Sequence, residues 1–141
     1  LELTESAILE DVDGTIGKMR ELRRFGIGFA IDDFGTGYSS LQYLQRLPLD
    51  ELKIDQSFVR GLGEDSSSAA IVRAIIAMAK ALGLETIAEG VETSTQREFL
   101  RTNGCRNYQG YYFGKPVPIE EFEGALRAGT VRERSASLLP V

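Results

Sequence analysis

The sequence contains no histidine. Serine–histidine–aspartate and cysteine–histidine catalysis are excluded with it, as is every histidine-based metal site. Any metal must then be held by oxygen ligands, which favours Mg2+, Mn2+ or Ca2+. Cysteine occurs once, at Cys105, which excludes an internal disulfide and fits a reducing compartment. No hydrophobic run approaches membrane-spanning length, and no signal-peptide pattern opens the chain. A basic excess is missing too. Sixteen Lys+Arg stand against 21 Asp+Glu, a formal charge of −5, so nothing marks the chain as a binder of nucleic acid polymers or membrane surfaces.

What is present is ordinary globular composition. The 141 residues are 43% hydrophobic and 26% charged, one domain's worth of chain with enough apolar residues for a core. The apolar run Ile27 to Ile31 ends in the adjacent carboxylates Asp32 and Asp33, followed by the Gly-, Thr- and Ser-rich stretch 35–40. Such a run fits a buried strand, and Gly-x-Gly turns the backbone where it stops. Neighbouring strand residues point to opposite faces, so Asp32 and Asp33 are expected to diverge.

Periodicity predicts helices over Thr15–Phe25, Leu41–Leu47, Ser68–Leu82, from Ser94 or Thr95 to Thr102, and over Glu120–Ala128. The stripe Ile71, Ile75, Met78, Leu82 is the expected buried face of the third. Strands are expected near 2–4, 27–32, 50–54, 85–89 and 106–109. A weak repeat links them. Gly26 precedes Asp32 and Gly83 precedes Glu89 by six residues, and Gly104 precedes Gln109 by five. Each unit reads as helix, capping glycine, then a strand with a polar residue at its carboxyl end. Alternation of this kind implies an α/β fold with a parallel sheet, where functional groups gather at the carboxyl ends of strands.

The polar residues at those ends are Glu2, Asp32, Asp33, Lys53, Glu89 and Gln109, with Glu5 and Glu92 about a turn beyond. Singly, each has a plainer role: a wet strand end for Glu2, a snorkelling stem for Lys53, caps for Glu89 and Glu92, backbone satisfaction for Gln109. Their recurrence at equivalent positions favours a shared site. Carboxylates crowded on one face repel unless a cation neutralises them. Paired divalent metals are usual tenants of oxygen-rich sites, and phosphoester hydrolysis is their chemistry.

Five ordered motifs carry a resemblance over residues 1 to about 126. They are Leu1-Glu2-Leu3-Thr4-Glu5, Ile31-Asp32-Asp33-Phe34-Gly35-Thr36-Gly37-Tyr38-Ser39-Ser40-Leu41, Leu52-Lys53-Ile54-Asp55, Ala88-Glu89-Gly90-Val91-Glu92, and Gln109-Gly110-Tyr111 with Phe113 and Pro116. Together they resemble the EAL domain, the bacterial phosphodiesterase family that hydrolyses cyclic di-GMP. The resemblance implies a TIM-like (β/α) barrel, of which this chain would form about the C-terminal half, with residues 1–128 the partial domain and 129–141 a flexible tail. It implies hydrolysis of cyclic di-GMP to linear pGpG with two divalent cations, Mg2+ or Mn2+. By motif, Glu2, Asp32 and Asp33 would be metal ligands and Lys53 would contact the nucleophilic water. Glu89 would be the general base or a metal-linked carboxylate, Glu92 and Gln109 would support the site, and Glu5 would anchor the Gly35–Ser40 loop. A homodimer, fusion to sensory or GGDEF domains, and a cytoplasmic location, including the cytoplasmic end of a membrane-anchored protein, are further implications.

The sequence departs from the family pattern in two places. The name-giving Glu-Ala-Leu and the metal-binding Asn after it do not occur, and Arg106 follows the cysteine where the family usually has Asp. The isolated chain is therefore expected to hydrolyse poorly or not at all. The alternative class is a non-catalytic cyclic di-GMP receptor or protein-interaction module, against which the retained carboxylates and Lys53 speak.

Overall fold

Five short strands and seven helices are laid down in near-strict alternation in a computed structural model, which describes residues 1–35 and 41–127. β1 (Glu2–Thr4) leads into α1 (Glu5–Glu10) and α2 (Val12–Arg23); β2 (Ala30–Phe34) is followed by α3 (Leu41–Leu44) and β3 (Glu51–Ile54). Then come α4 (Gln56–Arg60), α5 (Ser66–Leu82), β4 (Glu85–Ala88), α6 (Ser94–Thr102), β5 (Asn107–Tyr108) and α7 (Ile119–Arg127). Each strand pairs in parallel with its sequence neighbours, giving one sheet in the order β1-β2-β3-β4-β5. Parallel neighbours need a crossover, which the intervening helices supply. The order never reverses, so the sheet lacks the switch-point crevice of a doubly wound fold and grows in one direction, as a barrel wall does.

The helix-covered face of the sheet forms the core. Ile31, Leu52, Ile54 and Ala88 lie fully or almost fully buried there with Val59, Val72, Ala79 and Leu100 from the helices. Caps fix the longer helices. Asp65 accepts from the backbone N–H groups of Ser67 and Ser68 at 2.9 and 3.0 Å, and Gly83, at φ +72°, ends α5. Thr93, not Ser94 or Thr95, caps α6: it has the extended backbone, and its hydroxyl closes a capping box with Gln96.

Three expectations shift for identifiable reasons. α5 buries Val72, Ile75, Ile76 and Ala79, while Ile71 is exposed. Residues 69–79 are apolar almost all round, so two stripes fit the helical period and packing against the sheet selects one. Phe25 lies beyond the last helical residue, Arg23, and is 81% exposed; the stripe through Ile16, Met19 and Leu22 does not extend to it. β2 begins at Ala30 rather than Ile27, since its ladder starts where Glu2 of β1 meets Ala30. Helix α1 carries no long apolar stripe and was not foreseen. Among the described residues no helix is long and apolar enough to cross a membrane. The expected tail, 129–141, and most of the Gly35–Ser40 loop lie outside the described residues.

Candidate active site

The register brings the polar strand-end residues together. Glu2 pairs with Ala30 and Thr4 with Asp32; Ile31 pairs with Leu52, and Lys53 with Ile87. Because side chains alternate along a strand, Glu2, Asp32, Lys53 and Glu89 fall on one face of the sheet, opposite the face that packs on the helices. They meet at its carboxyl-terminal edge. The Lys53 ammonium lies 2.7 Å from Glu89, 3.0 Å from Glu2 and 3.0 Å from Asp32. Its side chain is only 7% exposed, whereas Glu2 is 59% exposed at the rim. Burial alone would pull the lysine down in pKa, but hydrogen bonds to Glu89, Glu2 and Asp32 outweigh it and hold the ammonium above the ordinary lysine range. Lys53 is thus a fixed positive charge inside a ring of three carboxylates.

Asp33 reaches the same place by a different route, and the expected divergence of the two aspartates does not occur. Between Ile31–Leu52 and Phe34–Ile54, two residues of β2 stand opposite one residue of β3. This β-bulge takes up the extra residue at Asp33, whose φ of +53° is left-handed. Oxygen atoms of Asp32, Asp33 and Glu89 consequently lie within 4.8 Å of one another. Partial desolvation, then the adjacent Asp32 and Asp55 carboxylates, push Asp33 above the usual carboxylate range.

Asp55 is the site residue that motif reasoning quoted but gave no role. It is buried, caps α4 and accepts the Ser57 N–H at 2.9 Å as well as the Ser57 hydroxyl. Burial opposes its ionisation, but those bonds outweigh it and keep Asp55 below the usual range beside Asp33. Its place one residue past β3, as Glu89 stands one residue past β4, was the signal available in the sequence.

The remaining candidates sit around this cluster rather than in it. Gln109 continues β5 beside Glu89: its N–H donates to the Ala88 carbonyl at 2.8 Å, and its own carbonyl accepts from Val91 at 3.0 Å. The Glu92 N–H is held by the Gln96 side chain at 2.8 Å. Both side chains are exposed, and neither bonds to the cluster among the described residues. Glu5 is buried behind β1, where it accepts a hydrogen bond from the Tyr43 hydroxyl at 3.1 Å. The loop it was expected to anchor lies outside the described residues from Thr36 to Ser40.

A one-directional parallel sheet with acids and a lysine at its carboxyl edge defines the class: an α/β protein of the (β/α)-barrel type with an oxygen-rich strand-end site. The sequence model of the EAL domain matches residues 1–116, and the chain belongs to the EAL domain family. It is 51% identical over 121 residues to MucR of Pseudomonas aeruginosa, a bifunctional diguanylate cyclase/cyclic di-GMP phosphodiesterase, covering 86% of this chain and 18% of MucR. The structure of the MucR phosphodiesterase in complex with c-di-GMP superposes with a TM-score of 0.82 over 86% of this chain and 49% of that one. The EAL domain of Mycobacterium smegmatis DcpA gives a TM-score of 0.83 at 46% identity, over 92% of this chain and 58% of that one. BlrP1 of Klebsiella pneumoniae, solved with manganese and cyclic di-GMP, gives 0.75 at 36% identity, over 82% of this chain and 30% of that one. The α/β fold and its barrel wall of five strands are thereby borne out. The chain spans about half the length of the solved MucR phosphodiesterase and under a fifth of the curated MucR.

Proposed function

We propose that the protein is a divalent-metal-dependent phosphodiesterase that opens cyclic di-GMP to linear pGpG. The observation that carries this reading is the convergence of Asp32, Asp33 and Glu89 oxygens within 4.8 Å beside the buried Lys53 ammonium. The donor set is all hard oxygen, which suits Mg2+ or Mn2+, and the bulge at Asp33 brings its carboxylate to those of Asp32 and Glu89. Asp32, Asp33 and the rim carboxylate Glu2 would hold the metal. Bound there, divalent cations acidify water and neutralise phosphate charge. The fixed charge of Lys53 orients the attacking water and offsets charge developing on the phosphoryl oxygens. Glu89, hydrogen-bonded to Lys53 at 2.7 Å, would accept a proton from that water as its oxygen bonds to phosphorus and the bond to the ribose oxygen breaks, the released ribose oxygen taking up a proton from solvent to leave as an alcohol. Gln109 and Glu92, on the strand end and loop next to Glu89, are placed to meet the nucleotide.

The test is turnover of cyclic di-GMP with Mn2+ by this chain, by the chain joined to the Glu-Ala-Leu-bearing part of an EAL domain, and by Asp32→Ala variants of both. Release of pGpG from the joined protein, abolished by Asp32→Ala, is the expected result. Binding of cyclic di-GMP with no release from either form would replace the hydrolase reading with that of a receptor.

A further inference from the structure

The loop that leaves β4 is fitted to its neighbours by bare backbone. Glu89 to Glu92 run along the end of β5, and three hydrogen bonds stitch the two together. The Gln109 N–H donates to the Ala88 carbonyl at 2.8 Å, the Val91 N–H to the Gln109 carbonyl at 3.0 Å, and the Tyr112 N–H to the Val91 carbonyl at 2.9 Å. The pairing of β4 with β5 thus continues past Tyr108, and Val91, at its centre, is fully buried. Gly110 is what admits so close an approach. A Cβ there would stand 2.2 Å from the Val91 carbonyl oxygen, 2.3 Å from its nitrogen and 2.8 Å from its carbonyl carbon. Those are backbone atoms, which cannot swing aside as the tip of a side chain can. The loop would have to retreat by roughly 1 Å, a misplacement large enough to cost a site dearly. Nor is there slack on the other side, where a Cβ on Gly90 would lie 2.7 Å from the Gln56 Cβ at the start of α4. Glu89 and Glu92 flank this tightly held stretch, and Gln109 directly precedes Gly110.

We propose that Gly110 is a positioning residue: by offering bare backbone to Val91 it seats residues 89–92 on the end of β5 and so sets Glu92 and Gln109 beside Glu89. The proposal rests on the reading of this edge as the place that meets cyclic di-GMP, and the test separates the two. Gly114 supplies a matched control. Its φ of +158° nearly equals the +157° of Gly110, and an added Cβ there meets nothing within 4 Å among the described residues. In metal-free buffer, the Val91 and Tyr112 amides of the unmodified chain should exchange as slowly as those of β4. In Gly110→Ala they should quicken about tenfold or more as their hydrogen bonds open, with β1 to β3 unchanged. In Gly114→Ala they should stay slow. With the chain joined to the Glu-Ala-Leu-bearing part of an EAL domain, Gly110→Ala should weaken cyclic di-GMP binding about tenfold or more. Mn2+ affinity should hold, because Glu2, Asp32 and Asp33 stand on β1 and β2. A glycine that served the fold alone would not produce that split. Free exchange of Val91 and Tyr112 in the unmodified chain, equal effects of the two substitutions, or quickened exchange with cyclic di-GMP affinity intact would each overturn the proposal. Failure of the joined, unmodified protein to bind cyclic di-GMP would strike the phosphodiesterase reading instead, with the exchange contrast between the two variants still deciding the seat.

Discussion

β2 and β4 end alike in sequence and differently in space. Each carries a carboxylate six residues after a left-handed glycine, Asp32 after Gly26 and Glu89 after Gly83. β4 stays in register with β3 to Ala88, the Glu89 N–H reaches the Ile54 carbonyl at 3.1 Å, and the positive φ needed to leave the strand falls on Gly90. β2 likewise leaves on a glycine, Gly35 at φ +96°, but before that its ladder slips and a second positive φ falls inside the strand, on Asp33. Glycine takes that conformation freely; a residue with a Cβ gives up roughly 1–2 kcal/mol, less for Asp, whose short side chain bonds locally. The regular strand end delivers one carboxylate. The strained one delivers two, and both reach the cluster with Glu89.

The largest expected effect comes from the cation that both strand ends share. Lys53→Met leaves Glu2, Asp32 and Glu89 facing one another without their common partner. Breaking such a buried pair costs about 3–5 kcal/mol, and since Glu2 is more than half exposed, a loss of about 3 kcal/mol in urea unfolding is the expectation. Mn2+ should then stabilise the variant more than the parent, since a bound cation takes over the neutralisation. Absence of Mn2+ stabilisation in both would show that the carboxylates do not form a cation site.

How far this was legible in the sequence follows from the same contrast. The regular parts were readable: the alternation of helices and strands, the capping glycines, and the placing of Glu2, Asp32, Lys53 and Glu89 at strand ends, because period and turn chemistry are local. The bulge was not. Adjacent aspartates on an ideal strand diverge, and only the pairing of Phe34 with Ile54, a contact between distant parts of the chain, reveals the extra residue. Asp55 was missed for a related reason: as the cap of α4 it has a complete local role, and its contact with Asp33 depends on the bulge. The buried face of α5 was off by one residue since an almost wholly apolar helix offers the period no contrast. Motif resemblance named the candidate residues; the geometry that brings Asp33 among them comes from strand pairing.

Exchanging the residues that carry the positive φ sharpens the comparison. Gly90→Ala puts a Cβ at φ +69° and 2.7 Å from the Gln56 Cβ, and a loss of about 1–2 kcal/mol is expected. Asp33→Gly should do the reverse, raising stability by up to about 1 kcal/mol as the strain is relieved, while weakening Mn2+ binding by an order of magnitude or more. Paired urea unfolding and Mn2+ titration measure both quantities. If Asp33→Gly instead destabilises the fold with Mn2+ affinity intact, Asp33 serves the strand rather than the site.

The smallest effect is one of sign, between Asp33 and an aspartate whose role is to cap. Hydrogen bonds from the Ser67 and Ser68 hydroxyls and amides hold Asp65 far below the ordinary carboxylate range. The folded state then binds fewer protons there than the unfolded one, so this contribution is complete above about pH 4 and fades as the pH falls through the acid range. Asp33, raised by partial desolvation and by Asp32 and Asp55, does the opposite: the folded state binds more protons, and stability declines as pH climbs from the ordinary aspartate pKa through the raised one. In metal-free buffer, the stability of Asp65→Ala relative to the parent should therefore recover as pH falls from about 7 to about 3, whereas that of Asp33→Asn should improve as pH rises over the same interval. Slopes of the same sign would mean that the bulge, for all its crowding, treats its aspartate as a cap treats its own. Opposite slopes would mark Asp33 as a charge that the fold holds against its preference and that a bound cation would relieve.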